Sequence, residues 1–246
     1  MMNEDTGQEK LELFGSGRSP TKQYTLGVIL AGLYGIGALI PVSGFIVTTG
    51  VVAQISFTIL IAPLFGILLG PWRGFVFGLI GGVITAFLSL MVPSVVLVVP
   101  TVILGPAISG FLTGLCLDTR ATKGGLVTAV YLAIIIALYM FPNGQTWWFM
   151  APYMLAAGVA VVLQIVGARF EPSNMRSVRY ILPLALIGTI ADFSMMTMGA
   201  VYILQLPADL FGFVIFPAML VERTIATLFS ATVASIIFVA FKDQLW

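Results

Sequence analysis

The stretch FGFVIFPAMLVERTIATLFSATVASIIFVAF, residues 211–241, decides how this chain is read. It is apolar over a length that crosses a bilayer, for which about 20 helical residues suffice. Yet it carries Glu222 and Arg223 side by side. A charge at the bilayer centre costs roughly 2.5–3.5 kcal/mol on insertion scales, so such residues face a partner or a water-filled cavity. One apolar run earlier, residues 180–204 hold Asp192. These three are the charged residues that no tail or connecting loop accounts for.

The rest of the composition agrees. Of 246 residues, 59% are apolar and 9% charged, and the mean hydropathy is +1.09. That balance excludes a soluble domain and describes an all-α, polytopic transmembrane bundle. A β-barrel would alternate in segments of about ten residues, whereas these runs are continuous. The net charge of +1 and the lack of a basic patch argue against nucleic acid as a partner. The lone Cys116 excludes an internal disulfide and a multi-thiolate metal site, and there is no histidine. No phosphate-binding glycine loop, metal-ligand spacing or nucleophile beside a base is present. Neither enzyme activity nor a cofactor nor a metal is therefore expected.

Residues 1–23 are polar and read as a cytoplasmic tail; residues 24–246 read as one integral membrane domain. Eight apolar spans follow one another, at 24–40, 55–69, 74–91, 94–117, 124–141, 148–167, 180–204 and 211–241. Proline and glycine punctuate them, and Pro217 is expected to kink the last. The span 55–69 is short, nearer 22 Å than 30 Å at about 1.5 Å per residue, so tilt or partial re-entry is expected. The eleven basic residues test the count. With eight spans and both termini cytoplasmic, every Lys and Arg except Arg223 falls on the cytoplasmic side. The opposite loops carry only Asp209, as the positive-inside rule demands.

By helical rise Asp192 lies roughly 18 Å from the cytoplasmic end of its span, and Glu222 and Arg223 roughly 17–18 Å from the outer end of theirs. The two spans are joined by a short loop, so Asp192 and Arg223 are placed to meet near mid-membrane. Two readings stand: an internal ion pair that fixes helix register, or a ligand or ion site. Neighbouring residues point about 100° apart on a helix, so Glu222 and Arg223 cannot both face one partner directly. The outer loops offer a second polar set in Asn143, Gln145, Trp147 and Trp148, with Gln54 in the charge-free connection 42–54. The tryptophans suit an interfacial belt or a binding wall.

Small residues recur every fourth position: Gly27, Ala31 and Gly35; Gly66 and Gly70; Gly74, Gly78 and Gly82; Gly110 and Gly114. Such stripes let helices approach closely, either within one bundle or against another subunit. The first stripe is expected to face a partner.

Several of these stretches resemble the substrate-binding (S) subunits of energy-coupling-factor vitamin transporters. They are residues 30–41, with Ala31, Gly35 and Pro41; residues 62–82, with Ala62, Pro63, Gly66, Gly70, Pro71, Gly74, Gly78 and Gly82; and the segment from Pro217 through Glu222 and Arg223 to Thr227. The family usually has six spans, where eight are counted here. The resemblance implies a subunit of the cell membrane that captures a small molecule, such as a vitamin or its precursor, under its outer loops. It implies pairing through Gly27, Ala31 and Gly35 with a T-type transmembrane subunit, driven by two cytoplasmic ATPases. Asp192, Glu222 and Arg223 would then suit an anionic or zwitterionic substrate. The rival reading is a stand-alone secondary transporter coupled to protons or sodium through Asp192 or Glu222, with helices interrupted at Pro100, Pro106 and Pro217.

Overall fold

The computed structural model describes residues 20–46, 52–90, 99–170 and 179–245, without the side chains of 20, 41–46, 52–56 and 241–245. Among these residues eight helices carry the fold. They are α1 (Pro20–Gly37), α2 (Ala62–Leu69), α3 (Pro71–Ser89), α4 (Val99–Leu115), α5 (Gly124–Asn143), α6 (Ala151–Val166), α7 (Ile181–Met198) and α8 (Phe216–Leu245). Each matches one apolar run of the sequence. Four helical stretches are long and apolar enough to cross a membrane: Pro71–Ser89, Gly124–Val166, Ile181–Ile203 and Leu210–Ala240. The second of these is a hairpin of α5 and α6, broken at Thr146, whose backbone is not helical.

The helices alternate in direction, and contacts at each end show it. At one end, the Arg73 guanidinium lies 5.6 Å from the Tyr24 ring, Asp118 pairs with Arg169 at 3.5 Å, and Phe170 packs on Phe238 with ring centroids 4.5 Å apart. At the other end, Trp148 Nε1 donates to the Gly212 carbonyl at 3.2 Å. The described basic residues other than Arg223 and Lys242 are Lys22, Arg73, Arg120, Lys123, Arg169 and Arg179, and the alternation puts all six at the first end. That is the charge asymmetry of a membrane-spanning bundle.

Three expectations are corrected. First, α1 begins at Pro20, and Gln23 is buried. The first helix thus starts before the expected span at 24, and residues 1–19 of the expected tail lie outside the described residues. Proline at a helix start loses nothing, because its missing N–H would have no intrahelical acceptor. Second, the connection 42–54 is not plain loop. Strands β1 (Pro41–Ile46) and β2 (Val52–Ser56) pair antiparallel, with Gly44 opposite Gln54. The segments are too short and too rich in β-branched residues to hold a helix. Third, Gly27, Ala31 and Gly35 do not form a free face. All three are buried, and added side chains at Gly27 and Gly35 would run into Phe77 and Ile84 of α3. The exposed side of α1 carries Val28, Ile29, Leu33 and Ile36 instead. Gly27→Leu is accordingly expected to cost the isolated chain about 1–3 kcal/mol, as overpacking does. Thermal unfolding of the purified chain checks this, since a residue reserved for a partner would leave that transition unmoved.

The remaining stripes pack inside the bundle. A Cβ at Gly78 would stand 2.5 Å from the Pro106 carbonyl oxygen, and one at Gly110 would stand 2.5 Å from the Gly74 carbonyl oxygen. The backbones of α3 and α4 thus touch over several turns, which only glycine allows. The short helix α2 is buried at every residue, from Ala62 to Leu69. With the 3-10 turn Phe57–Leu60 before it, it is shielded from lipid by its neighbours. Its shortness costs little there, because lipid thickness constrains lipid-facing helices.

Helix α7 is the hub. Twelve of its residues are buried. It packs on α2, α4, α6 and α8. Polar groups tie it at successive turns. Ser109 Oγ donates to the Gly188 carbonyl at 2.8 Å; Thr189 and Thr227 share a hydroxyl bond at 3.0 Å. Tyr131 and Ser194 pair at 2.6 Å, and Tyr153 and Thr197 at 2.7 Å. Interhelical bonds of this kind contribute about 0.6 kcal/mol each in a membrane protein, so the set matters more than any one.

Candidate functional site

Asp192 stands halfway along the helical stretch Ile181–Ile203, about 17 Å from its start. Its position is fixed from three sides. On α4, Gly105 leaves the space its carboxylate occupies: a Cβ there would lie 2.8 Å from Asp192 Oδ1. Gly105 is followed by Pro106, which lies inside the helix and removes one backbone donor there. On α8, Arg223 Nη1 approaches Asp192 Oδ2 at 3.5 Å. Both side chains are almost wholly buried, at 3% exposed for Arg223 and 5% for Asp192. Asp192 and Arg223 do meet at mid-bundle, as their depths in the sequence require.

The guanidinium has two further neighbours. Nη1 also donates to the Thr189 carbonyl at 3.3 Å, and the Phe193 ring lies under Cζ at 4.3 Å. Stacking on an aromatic face suits a delocalised cation and holds the plane of the group. The opposite edge of the guanidinium is different. Nε and Nη2 are buried and have no hydrogen-bond partner among the described residues. Glu222, the next residue on α8, is buried too.

Arg223 lines a groove of about 310 Å³ between α6, α7 and α8. Its walls are Pro152 and Leu155 of α6, Ile190 of α7, and Met219 and Leu228 of α8. Leu155 and Leu228 are 60% and 55% exposed, so the mouth opens on the outer flank of the bundle. A volume near 300 Å³ is at the small end of the range for small-molecule sites.

The outer polar residues are not part of this cluster. Asn143 is buried at the end of α5, and its carbonyl accepts from Thr146 Oγ1 at 3.2 Å. Gln145 and Trp147 are exposed, and Trp148 is half-buried against Phe213. Gly212, which Trp148 bonds, precedes Arg223 by eleven positions, about 16 Å along a helix. An aromatic column spans the gap. Tyr139 stacks on Phe149 at 5.1 Å, Phe149 meets Phe211 at 5.2 Å and Phe193 at 6.4 Å, and Phe193 carries Arg223. Gln54 sits on β2, with its side chain outside the described residues.

Sequence reasoning missed Phe193, Thr189, Gly105 and the groove. Phe193 and Thr189 lie within three residues of Asp192 in the sequence, but their roles come from Arg223, 30 and 34 residues away. In the sequence Gly105 stands out only beside Pro106, as a break in its span.

Fold and site together define an all-α, membrane-spanning helix bundle with a buried ion pair at its centre. Comparison with family models, curated proteins and solved structures yields no match.

Proposed function

We propose that this chain is the substrate-capturing membrane subunit of an ATP-driven importer of the energy-coupling-factor type, working in the cell membrane. Its substrate is a small molecule such as a vitamin or its precursor. The observation that carries the reading is Arg223: a fixed, buried cation held by Asp192 at 3.5 Å, with an unused donor edge beside a groove. An ionisable residue inside a membrane is a candidate functional site by default, because its burial is costly. The glycine and proline pattern of residues 30–41 and 62–82 supports the particular family. In this reading ATP is hydrolysed by two cytoplasmic partners, and this chain is not an enzyme. Because Gly27, Ala31 and Gly35 are covered by α3, the T-type subunit docks elsewhere; the outer side of α1, with Val28, Leu33 and Ile36, suits it.

The test is co-purification of the tagged chain from its native membrane in mild detergent. A T-like membrane protein and an ATPase pair are expected with it. Recovery of the chain alone, beside a control complex that survives, would reject the importer. One observation favours a second reading, a secondary transporter using Asp192 or Glu222. Both α7 and α8 adjoin π-helical segments, Gly199–Ile203 and Leu210–Ile215, and such segments frequently mark functional sites. Uptake abolished by an ionophore and indifferent to ATPase loss would select it.

A further inference from the structure

The unused edge of Arg223 and the direction in which the groove opens identify a class of ligand. A guanidinium presents its donors as planar forks. Nη1 is engaged by Asp192 and Thr189. Nε and Nη2 form one remaining fork, both atoms buried and without a partner among the described residues. Two parallel donors of this geometry match the two oxygens of a carboxyl or phosphate group. The 3.5 Å approach of Asp192 is long for a charge-assisted bond, whose usual length is about 2.7–2.9 Å, so the cation is not saturated by it.

The groove that Arg223 lines is otherwise largely apolar, with Pro152, Leu155, Ile190, Met219 and Leu228 as walls and Thr224 and Thr227 beside them. Its mouth, at the exposed Leu155 and Leu228, lies on a flank that faces hydrocarbon in a membrane-spanning bundle. An entrance of this kind suits an apolar chain. The head must reach the level of Asp192, about 17 Å from either end of the stretch Ile181–Ile203. A phosphodiester is charged at all ordinary pH and stays at the surface, because moving an ion into hydrocarbon is prohibitively costly. A carboxylic acid can cross as its neutral form.

We infer that the groove between α6, α7 and α8 binds a single-chain fatty acid taken laterally from the bilayer, its carboxyl group held by Nε and Nη2 of Arg223 and its chain by Leu155, Ile190 and Leu228. The inference rests on reading Arg223 as a ligand contact. It adds a route and a chemical class to that reading.

The experiment uses the full chain in lipid nanodiscs and a medium-chain fatty acid carrying a diazirine near its tail. Irradiation is expected to label α6 and α8 at the groove. The unlabelled acid should compete, and the alcohol of equal length should not. Arg223→Lys keeps the charge but loses the planar fork, and should weaken competition about tenfold or more. Leu155→Trp and Leu228→Trp fill the mouth from exposed positions that leave the packed core intact, and should abolish labelling. Labelling spread over every lipid-facing helix, equal competition by the alcohol, or indifference to both Trp variants would overturn the inference. Failure of the importer reading looks different: no ATPase co-purifies, while acid binding and its loss in the Trp variants persist. If a water-soluble solute is taken up through Arg223 with both Trp variants fully active, the lateral route fails and the importer stands.

Discussion

Asp192→Ala is expected to lower stability by about 3–5 kcal/mol, the cost of stripping one partner from a buried ion pair. Arg223 would then be left 3% exposed with the Thr189 carbonyl and the Phe193 ring but no counter-charge. Arginine does not give up its proton in a protein, so the charge cannot be relieved by neutralisation. Arg223→Met is expected to cost less, because a lone carboxyl can take up a proton. The double substitution, Asp192→Leu with Arg223→Met, should recover most of the loss, since apolar replacements of a buried pair are often neutral or better. Equilibrium unfolding of the four proteins in bicelles gives the double-mutant cycle. Independent, additive losses would show that the two residues do not act as a pair.

The second large effect belongs to the seam between α3 and α4. Gly78→Ala places a methyl group 2.5 Å from the Pro106 carbonyl oxygen, and backbone cannot turn aside as a side chain does. The helices must separate, and the expected loss is about 3 kcal/mol or more, beyond the usual range for overpacking. The same separation shifts Gly105, one residue before Pro106, against which Asp192 rests. Folding damage and site damage should therefore appear together at this position. Gly32→Ala and Gly158→Ala are the controls. A Cβ at either meets nothing within 4 Å, and alanine gains about 0.8–1.0 kcal/mol over glycine in a helix interior. Melting temperatures of the three variants in one detergent check the contrast. Equal behaviour of Gly78 and Gly158 would contradict the packing described.

The sequence shows some of this arrangement and hides the rest for physical reasons. The spans are legible because lipid demands continuous apolar runs, and the basic residues report which ends share a side. The meeting of Asp192 with Arg223 is legible because helical rise converts position into depth. Rotation about each helix is not. A soluble helix shows its buried face by contrast with a polar one, whereas here lipid and core are both apolar. That is why Gly27, Ala31 and Gly35 announce close packing without saying on what, and why Gly27 and Gly35 meet Phe77 and Ile84 of α3 rather than a second protein. The groove is hidden for the same reason. Pro152 and Leu155 look like any other apolar residues until α6 is seen beside Arg223. The hairpin at Pro41–Ile46 and Val52–Ser56 is short enough that its period is lost among glycines and turn residues.

Arg223 is either a ligand contact or a structural tie, and the two differ in what the purified chain carries. The most direct measurement is native mass spectrometry of the full chain released from mild detergent, wild type against Arg223→Lys, with the fold of each checked by thermal unfolding. A bound small molecule is expected on the wild type that the folded Arg223→Lys variant no longer carries. Identical bound mass on two equally stable proteins would contradict that expectation and leave Asp192 and Arg223 as a pair that only holds the helices in register.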